Sequence, residues 1–420
     1  MTDTQAQFID IADLRIGLYV YVDLGWISHP FPLSSFKIQS PEQIATLRTL
    51  GIERIRYSPE KSDPEDVPEE TKNLTPASIS PEDLQRQQRK ALLGSQNASL
   101  KACERQYSQA SKIYKQVLEQ TRAQPDKSRA QALLLIEEVQ GQLQGLEESS
   151  IRLLSEQIGD RASLHSINVL VLSLLLGKAC GMSDVDLQEL GVGALLHDIG
   201  KQELPNRLRW GDELFSSAEK KLYQEHVNYG IALGKKMEIS SAALLCIAQH
   251  HELANGSGYP MHSLNERISP LARIVTLTNQ YDNLCNPGHP ASALTPHEAL
   301  STIFTQMKGC FDSKTMSVFI RMMGVYPPGS VVQLTDDRYA MVVSVNSSRP
   351  LKPRLIVYDQ HIPKEEALVV DLEQQADLGV RRSIKPVLLP RQVMSYLSPR
   401  QHICYFFERA SSLAGGEVAP

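Results

Sequence analysis

The alternation of apolar and polar positions changes character several times along the chain. Gly17–Leu24 and Ile52–Tyr57 are short runs rich in Val, Ile, Leu and Tyr, which predicts two strands. Between them, Ser40-Pro41-Glu42-Gln43 reads as a helix start, with a capping serine, a proline in the first turn and a glutamine at the third position; Gly51 reads as its end. These signals predict a small α+β domain over 1–57. Residues 58–79 carry Pro59, Pro64, Pro68 and Pro76 around the acidic run Glu65-Asp66-Val67-Pro68-Glu69-Glu70, and read as a linker. Ser80-Pro81-Glu82-Asp83 then opens a Gln-rich helical stretch to about Ile158, with breaks predicted at Pro125 and Gly141. Residues 80–126 read as a helical connector, and 80–150 as a helical pair able to form a homodimer.

From 127 to 326 the periodicity is helical. Ser183-Asp184-Val185-Asp186, Ser216-Ser217-Ala218-Glu219 and Thr295-Pro296-His297-Glu298 each look like a capped helix start. After Pro327-Pro328-Gly329 the period shortens toward two. Val331–Leu334, Tyr339–Val345 and Leu355–Tyr358 read as strands, with a turn at Thr335-Asp336-Asp337-Arg338, so 327–373 is expected to be a small β appendage. Residues 374–420 show no clear pattern and read as a tail, with Gly415-Gly416-Glu417 expected to be disordered. The fold class expected is mainly α: a helical bundle with a small N-terminal α+β domain and a small C-terminal β appendage.

Composition narrows the partners. Hydrophobic residues make up 42%, charged residues 22%, and the net charge is −5. A mildly acidic chain lacks the basic excess that a nucleic-acid polymer demands. The best apolar run, Val169–Leu176, is too short to span a bilayer. The N-terminus has no basic and apolar leader pattern. Cys103, Cys180, Cys246, Cys285, Cys310 and Cys404 are widely spaced without a CxxC pair, as expected for reduced thiols in a cytoplasmic protein.

The chemistry concentrates in one helical stretch. Five of the 11 histidines, His165, His197, His226, His250 and His251, fall within it; His197 is followed by Asp198, and His250 adjoins His251. Imidazole and carboxylate together suit Zn, Mn or Fe, and ligands from separate helices can converge inside a bundle. A lone histidine on an apolar helix face is more often a core residue. A His-Asp pair at the end of an apolar helix, with further histidines around it, is much harder to explain as packing. Four residues after the His pair comes a loop, Asn255-Gly256-Ser257-Gly258-Tyr259-Pro260, whose glycines and proline suit a tight turn.

His197-Asp198 with Gly200-Lys201, then His226, His250-His251-Glu252 and Gly256-Ser257-Gly258-Tyr259-Pro260, resembles the HD-GYP family of bacterial cyclic di-GMP phosphodiesterases. The resemblance covers about 150–326 within an HD-type metallohydrolase domain drawn at 127–326. Residues 8–57 look like the small N-terminal domain of unknown role that precedes some of these domains. The resemblance implies metal ligands His165, His197, Asp198, His226, His250, His251 and Asn279, catalytic roles for Asp198 and Lys201, and substrate contacts from Lys201, Gly256, Gly258, Tyr259, Pro260, Arg267 and Arg273. It implies two divalent ions, Fe or Mn foremost, with Mg, Ni and Zn as alternatives. Asp198 would bridge them and Lys201 would reach the substrate phosphate.

Three positions depart from the family pattern. Asn279 stands where an aspartate ligand is usual, and an amide oxygen is a neutral, weaker ligand for a hard cation. Arg161 stands where trinuclear members carry a glutamate, hence two metals rather than three. Asn255 replaces an aspartate in the loop. The implied activity is hydrolysis of cyclic di-GMP to pGpG and onward to GMP. The alternative is a degenerate domain that binds the nucleotide, or a protein partner through the GYP loop, without turnover.

Overall fold

The computed structural model describes residues 7–22, 35–48, 50, 52, 54–63, 81–144, 149–155, 161–211, 214–346 and 348–409. Gly51, most of the expected linker, the neighbourhood of Ile158 and Gly415-Gly416-Glu417 lie outside them, as does His29, which reads in sequence as a turn residue. The chain forms two compact units, Met1–Ser80 and Pro81–Pro420.

The first unit holds β1 (Gln7–Asp10), β2 (Tyr19–Tyr21), β3 (Ser35–Lys37), α1 (Pro41–Arg48) and β4 (Arg54–Ser58). The strands form an antiparallel sheet in the order β1-β4-β2-β3. Val20 and Ile55 point to one face, where Leu47 of α1 meets them with Leu14, Leu18 and Ile38. The expected α+β character holds, with two more strands than the hydrophobic runs announce.

The second unit begins with α2 (Pro81–Gln120) and α3 (Pro125–Gln144). Pro125 separates them, since proline suits a first turn and not a helix interior. Gly141 does not break α3, which runs through it. Cys103, Tyr107, Ala110, Tyr114 and Val117 recur every three or four residues along α2 and are buried with Ala132, Leu135, Ile136, Val139 and Leu143 of α3. That apolar seam is therefore consumed inside one chain.

Next come β5 (Ser149–Leu153), α4 (Arg161–Ala179), α5 (Asp184–Leu196), α6 (Ser217–Gln224), α7 (His226–Lys236), α8 (Ser241–Gln249), α9 (Pro270–Cys285), α10 (Pro296–Thr305) and α11 (Ser313–Met323). The Ser183 side chain caps α5, and full capping boxes open α6 at Ser216 and α10 at Thr295. Helix α4 is longer than its central apolar run suggests. By length and composition it could cross a membrane, but it is 83% buried within the protein, as the middle helix of the bundle.

The C-terminal part, from Val331 onward, departs most from the sequence reading. It contains β6 (Val331–Leu334), β7 (Tyr339–Asn346), β8 (Arg354–Val357), β9 (Val369–Asp371), β10 (Val380–Ser383), α12 (Arg391–Leu397) and β11 (Tyr405–Arg409). The expected tail thus carries two strands and a helix. The appendage is also not separate. Strand β5, read in sequence as helix, lies between β7 and β11 in an antiparallel sheet of order β10-β6-β7-β5-β11, with β8 on β7 and β9 on β8. Met341 and Val343 of β7 join the bundle core, along with Ile151, Leu397 and Phe406. Ala340 and Val342, on the opposite face, join a smaller core with Val332, Leu334 and Leu355. Burial on both faces is why this stretch reads as a continuous apolar run.

Candidate metal centre

The candidate ligands sit at helix ends, where the last carbonyls have no partner within their own helix. The His197 Nδ1–H donates to Ala194 O at 2.7 Å at the end of α5, and His250 Nδ1–H donates to Ile247 O at 2.7 Å at the end of α8. His226 Nδ1–H donates to Tyr223 O at 2.5 Å, closing α6 as α7 begins. In each case a histidine caps the carbonyl three residues back. His165, within α4, donates its Nδ1–H to the Asp282 carboxylate of α9 at 2.6 Å. These bonds assign a proton to Nδ1 in all four rings and turn every Nε2 toward the cluster.

The Nε2 atoms face each other. His165 Nε2 lies 3.2 Å from His197 Nε2, and His226 Nε2 lies 3.2 Å from His250 Nε2. Two lone pairs at that separation repel unless a cation lies between them. Metal–nitrogen bonds of about 2.0–2.1 Å place neighbouring ligand nitrogens roughly 3 Å apart. Asp198 stands between the pairs: Oδ2 is 3.4 Å from His165 and 3.3 Å from His197, and Oδ1 is 3.5 Å from His226 and 3.6 Å from His250. Asp198 Oδ1 and His251 Nε2 are buried without a hydrogen-bond partner. The donors fall into two groups that share Asp198: His165, His197 and Asp198, and Asp198, His226, His250 and His251. Orphaned buried donor atoms of this chemistry fit two divalent ions.

The electrostatics set His165 apart from the other rings. Burial lowers His197 to about 4 and His226 to about 3, and holds His251 well below the usual histidine range. Burial opposes charge on His165 too, but its hydrogen bonds to Asp198 and Asp282 outweigh this and push it up to about 9. Asp198 is held well below the carboxylate range despite its burial, because Lys201 Nζ lies 2.5 Å from Oδ2. Three buried histidines that stay neutral make the metal-free protein acid-sensitive. Below about pH 6.5 the unfolded chain binds protons that the folded chain refuses, so stability falls as pH drops from about 6.5 toward 4. His165 acts oppositely, its contribution being lost as pH rises from about 6.5 to 9. Thermal unfolding of the chelated protein across pH 4.5–9 should show a maximum near pH 6.5, on the order of the unperturbed histidine pKa; a flat profile would contradict the buried-neutral assignment.

The GYP loop folds onto the second donor group. The Tyr259 ring stacks on His251 with centroids 4.5 Å apart and planes 19° apart, and Tyr259 N–H donates to His251 O at 3.1 Å. A Cβ at Gly258 would lie 2.3 Å from Leu253 N and 2.4 Å from His251 O, so only glycine lets the loop close this far. Gly256 has φ +78°, and Pro260 completes the loop. Glu252, which the sequence reading leaves without a role, is buried and accepts the Met261 and Ser263 N–H groups at 2.6 and 2.7 Å.

A cleft of about 460 Å³ opens beside His165 and Lys201, with Arg161, Trp210, Tyr223, Asn283, Asn286 and His402 among its walls. Neither expected arginine is among its lining residues. Arg267 is exposed, and Arg273 bonds to Asn265 O and Ile268 O and faces Asp312 at 3.6 Å, bracing the segment after the loop. Arg161 instead lies over the Trp210 ring at 4.4 Å and donates to Gly288 O at 2.9 Å and to Pro287 O. Asn279 is buried on α9, where its Oδ1 accepts from Asn283 at 2.7 Å; the α9 side chain bonded to a cluster histidine is Asp282, one turn on. The stripe Asn279, Asp282, Asn283, Asn286 at helical spacing was a readable signal for this wall.

Residues 134–315 match the family model described as HD domain, and residues 7–132 match a domain of unknown function, DUF3391. Residues 134–315 are therefore similar to HD domains. The DUF3391 match reaches beyond the first unit into α2 and α3. Among similar proteins is the cyclic di-GMP phosphodiesterase PA4108 of Pseudomonas aeruginosa, 24% identical over 354 residues, covering 83% of this chain and 84% of that one. The 3'3'-cGAMP-specific phosphodiesterase 3 of Vibrio cholerae is 26% identical over 163 residues, covering 39% of this chain and 35% of that one. A solved structure, Bd1817, a HDG"Y"P protein from Bdellovibrio bacteriovorus, aligns with 74% of this chain and 97% of its own at 17% identity and a TM-score of 0.42.

Proposed function

We propose that this protein is a cytoplasmic, metal-dependent phosphodiesterase that opens cyclic di-GMP to pGpG and carries it on to GMP, using two divalent ions, Fe or Mn foremost. The observation that carries the reading is the double imidazole pair arranged on the two oxygens of Asp198. The name of the Pseudomonas aeruginosa relative points to the same substrate. His165, His197 and Asp198 would hold one ion, and Asp198, His226, His250 and His251 the other. When bound, such ions lower the pKa of water toward neutrality and offset charge on phosphoryl oxygens.

The chain's own groups do the rest. The hydrogen bonds at Nδ1 hold each imidazole in the tautomer that offers Nε2. Lys201 supplies a fixed positive charge at the cleft wall, where a phosphate can exchange for part of its contact with Asp198. The cleft is of a size that takes a small ligand. Local charge of this kind lets a −5 chain capture an anion.

Asn279 favours a second reading, binding without turnover, because its Oδ1 is already engaged by Asn283. Purified protein of measured metal content should be assayed with cyclic di-GMP and, given the Vibrio cholerae relative, with 3'3'-cGAMP. Release of pGpG from cyclic di-GMP is the expected result. Full metal occupancy with no turnover, gained on Asn279→Asp, would replace the first reading with the second. Faster turnover of 3'3'-cGAMP would overturn the substrate assignment.

A further inference from the structure

The cluster histidine His165 is held from a part of the chain far outside the HD match. Asp282 accepts its Nδ1–H on Oδ2, and the other carboxylate oxygen, Oδ1, accepts two amide N–H groups, from Asn168 at 2.7 Å and from Asn286 at 2.9 Å. Both amides also grip the backbone just before β11. Asn168 Nδ2 and Asn286 Nδ2 both donate to Ile403 O, at 2.7 and 3.0 Å. Ile403 N–H donates to Asn286 Oδ1 at 2.8 Å, and Tyr405 N–H donates to Asn168 Oδ1 at 3.0 Å. Every polar atom of the two carboxamides thus has a partner, in a closed ring of bonds around a buried carboxylate. The neighbouring His402 lines the cleft itself.

We propose that residues 402–405 and the amide pair Asn168–Asn286 form a positioning device for the first metal position, acting through Asp282 on the orientation and tautomer of His165. The proposal rests on the reading that His165 and His197 hold a metal ion. Fully satisfied buried networks fix a single geometry, and the group that accepts a ligating histidine's second N–H sets the direction of its free nitrogen. Asn286→Ala deletes one of the two amides that join Ile403 to Asp282. It leaves the His226, His250 and His251 group untouched, so its effect falls on one metal position and not on both. The device makes the C-terminal segment a working part of the centre, although that segment supplies no ligand.

The test is titration of the metal-stripped full chain with Mn²⁺, counting free ion by electron paramagnetic resonance, which reads each site without any nucleotide. The wild-type chain should show two sites. Asn286→Ala should weaken one of them by about 10- to 100-fold, the usual cost of losing such a supporting partner, and leave the other unchanged. Asn168→Ala should do the same, which guards against one variant failing to fold. On an Asp282→Ala background Asn286→Ala should add nothing. Phe407→Leu, a β11 core change outside the network, should lower Tm without moving either site. Two unchanged sites in both asparagine variants, a further loss on the Asp282→Ala background, or an equal weakening by Phe407→Leu would overturn the proposal alone. A wild-type chain with no tight Mn²⁺ site would remove the metal reading and this proposal together.

Discussion

Asp198→Ala should empty both metal positions in one step, and reduce hydrolysis by more than about 10³-fold, since losing even a single electrostatic donor in an active site costs about 10²–10³. The geometry explains why one residue counts double. Each oxygen of Asp198 faces a different imidazole pair, so neither donor group keeps a carboxylate once it is gone. What remains is a set of imidazole rings beside the half-buried Lys201 ammonium, deprived of its counter-ion and now repelling any cation that approaches. His197→Ala should behave differently, weakening the first position while the His226, His250 and His251 group retains its ion. Metal content by elemental analysis, read beside turnover, separates the two variants. Retention of two ions by Asp198→Ala would refute the bridging role.

The second large effect is expected at Gly200, in the tight turn Ile199–Glu203 that folds Lys201 back onto Asp198. A Cβ there would lie 1.9 Å from His226 O and 2.4 Å from Gly230 N, both backbone atoms of α7 that cannot swing aside. Gly200→Ala must push the turn and α7 apart. That is overpacking of the severe kind, about 3 kcal/mol or more. At roughly 2–4 °C per kcal/mol for a domain of a few hundred residues, Tm should fall by about 6–12 °C. The second metal position should weaken with it, because His226 opens the displaced helix. Gly141 is the internal comparison: it lies in the last turn of α3 with nothing near its would-be Cβ, so alanine there should be neutral or stabilising by about 0.4–1 kcal/mol. Calorimetry on the two variants decides the matter, and a wild-type Tm for Gly200→Ala would contradict the close approach.

Local signals carried much of this structure. Ser183, Ser216 and Thr295 start helices because capping chemistry acts over three residues, within reach of any sequence window. The clustering of candidate donors was readable for a similar reason, since histidines beside helix ends and a His-Asp pair are unusual at short range. The failures are all long-range. Strand β5 is five residues long, and its partners β7 and β11 lie far along the chain, so no periodicity near Ser149–Leu153 could announce it. Residues after 373 pack one buried side chain at a time onto helices formed earlier, as Val393, Leu397 and Ile403 do, which blurs any alternating pattern. Arg273 was a fair candidate for an anion by residue type, but its guanidinium is absorbed by Asn265, Ile268 and Asp312, a choice made by tertiary contacts. Asp282 and Glu252 were visible as carboxylates, yet their work is to hold His165 and the GYP loop, and only geometry distinguishes that from ligation.

The place of β5 has a consequence for how such a protein can be rearranged in evolution or in the laboratory. The strand precedes α4, yet its neighbours on either side, β7 and β11, come from beyond the HD match. A gene fusion that transplanted residues 134–315 alone would leave β5 with two bare edges and the middle helix of the bundle with an uncovered apolar flank. The smallest exchangeable module is therefore the whole of Pro81–Arg409, entered at α2 and left after β11. New sensory inputs can be spliced on ahead of Pro81, whereas extensions at the other end must begin after the chain has closed its own sheet.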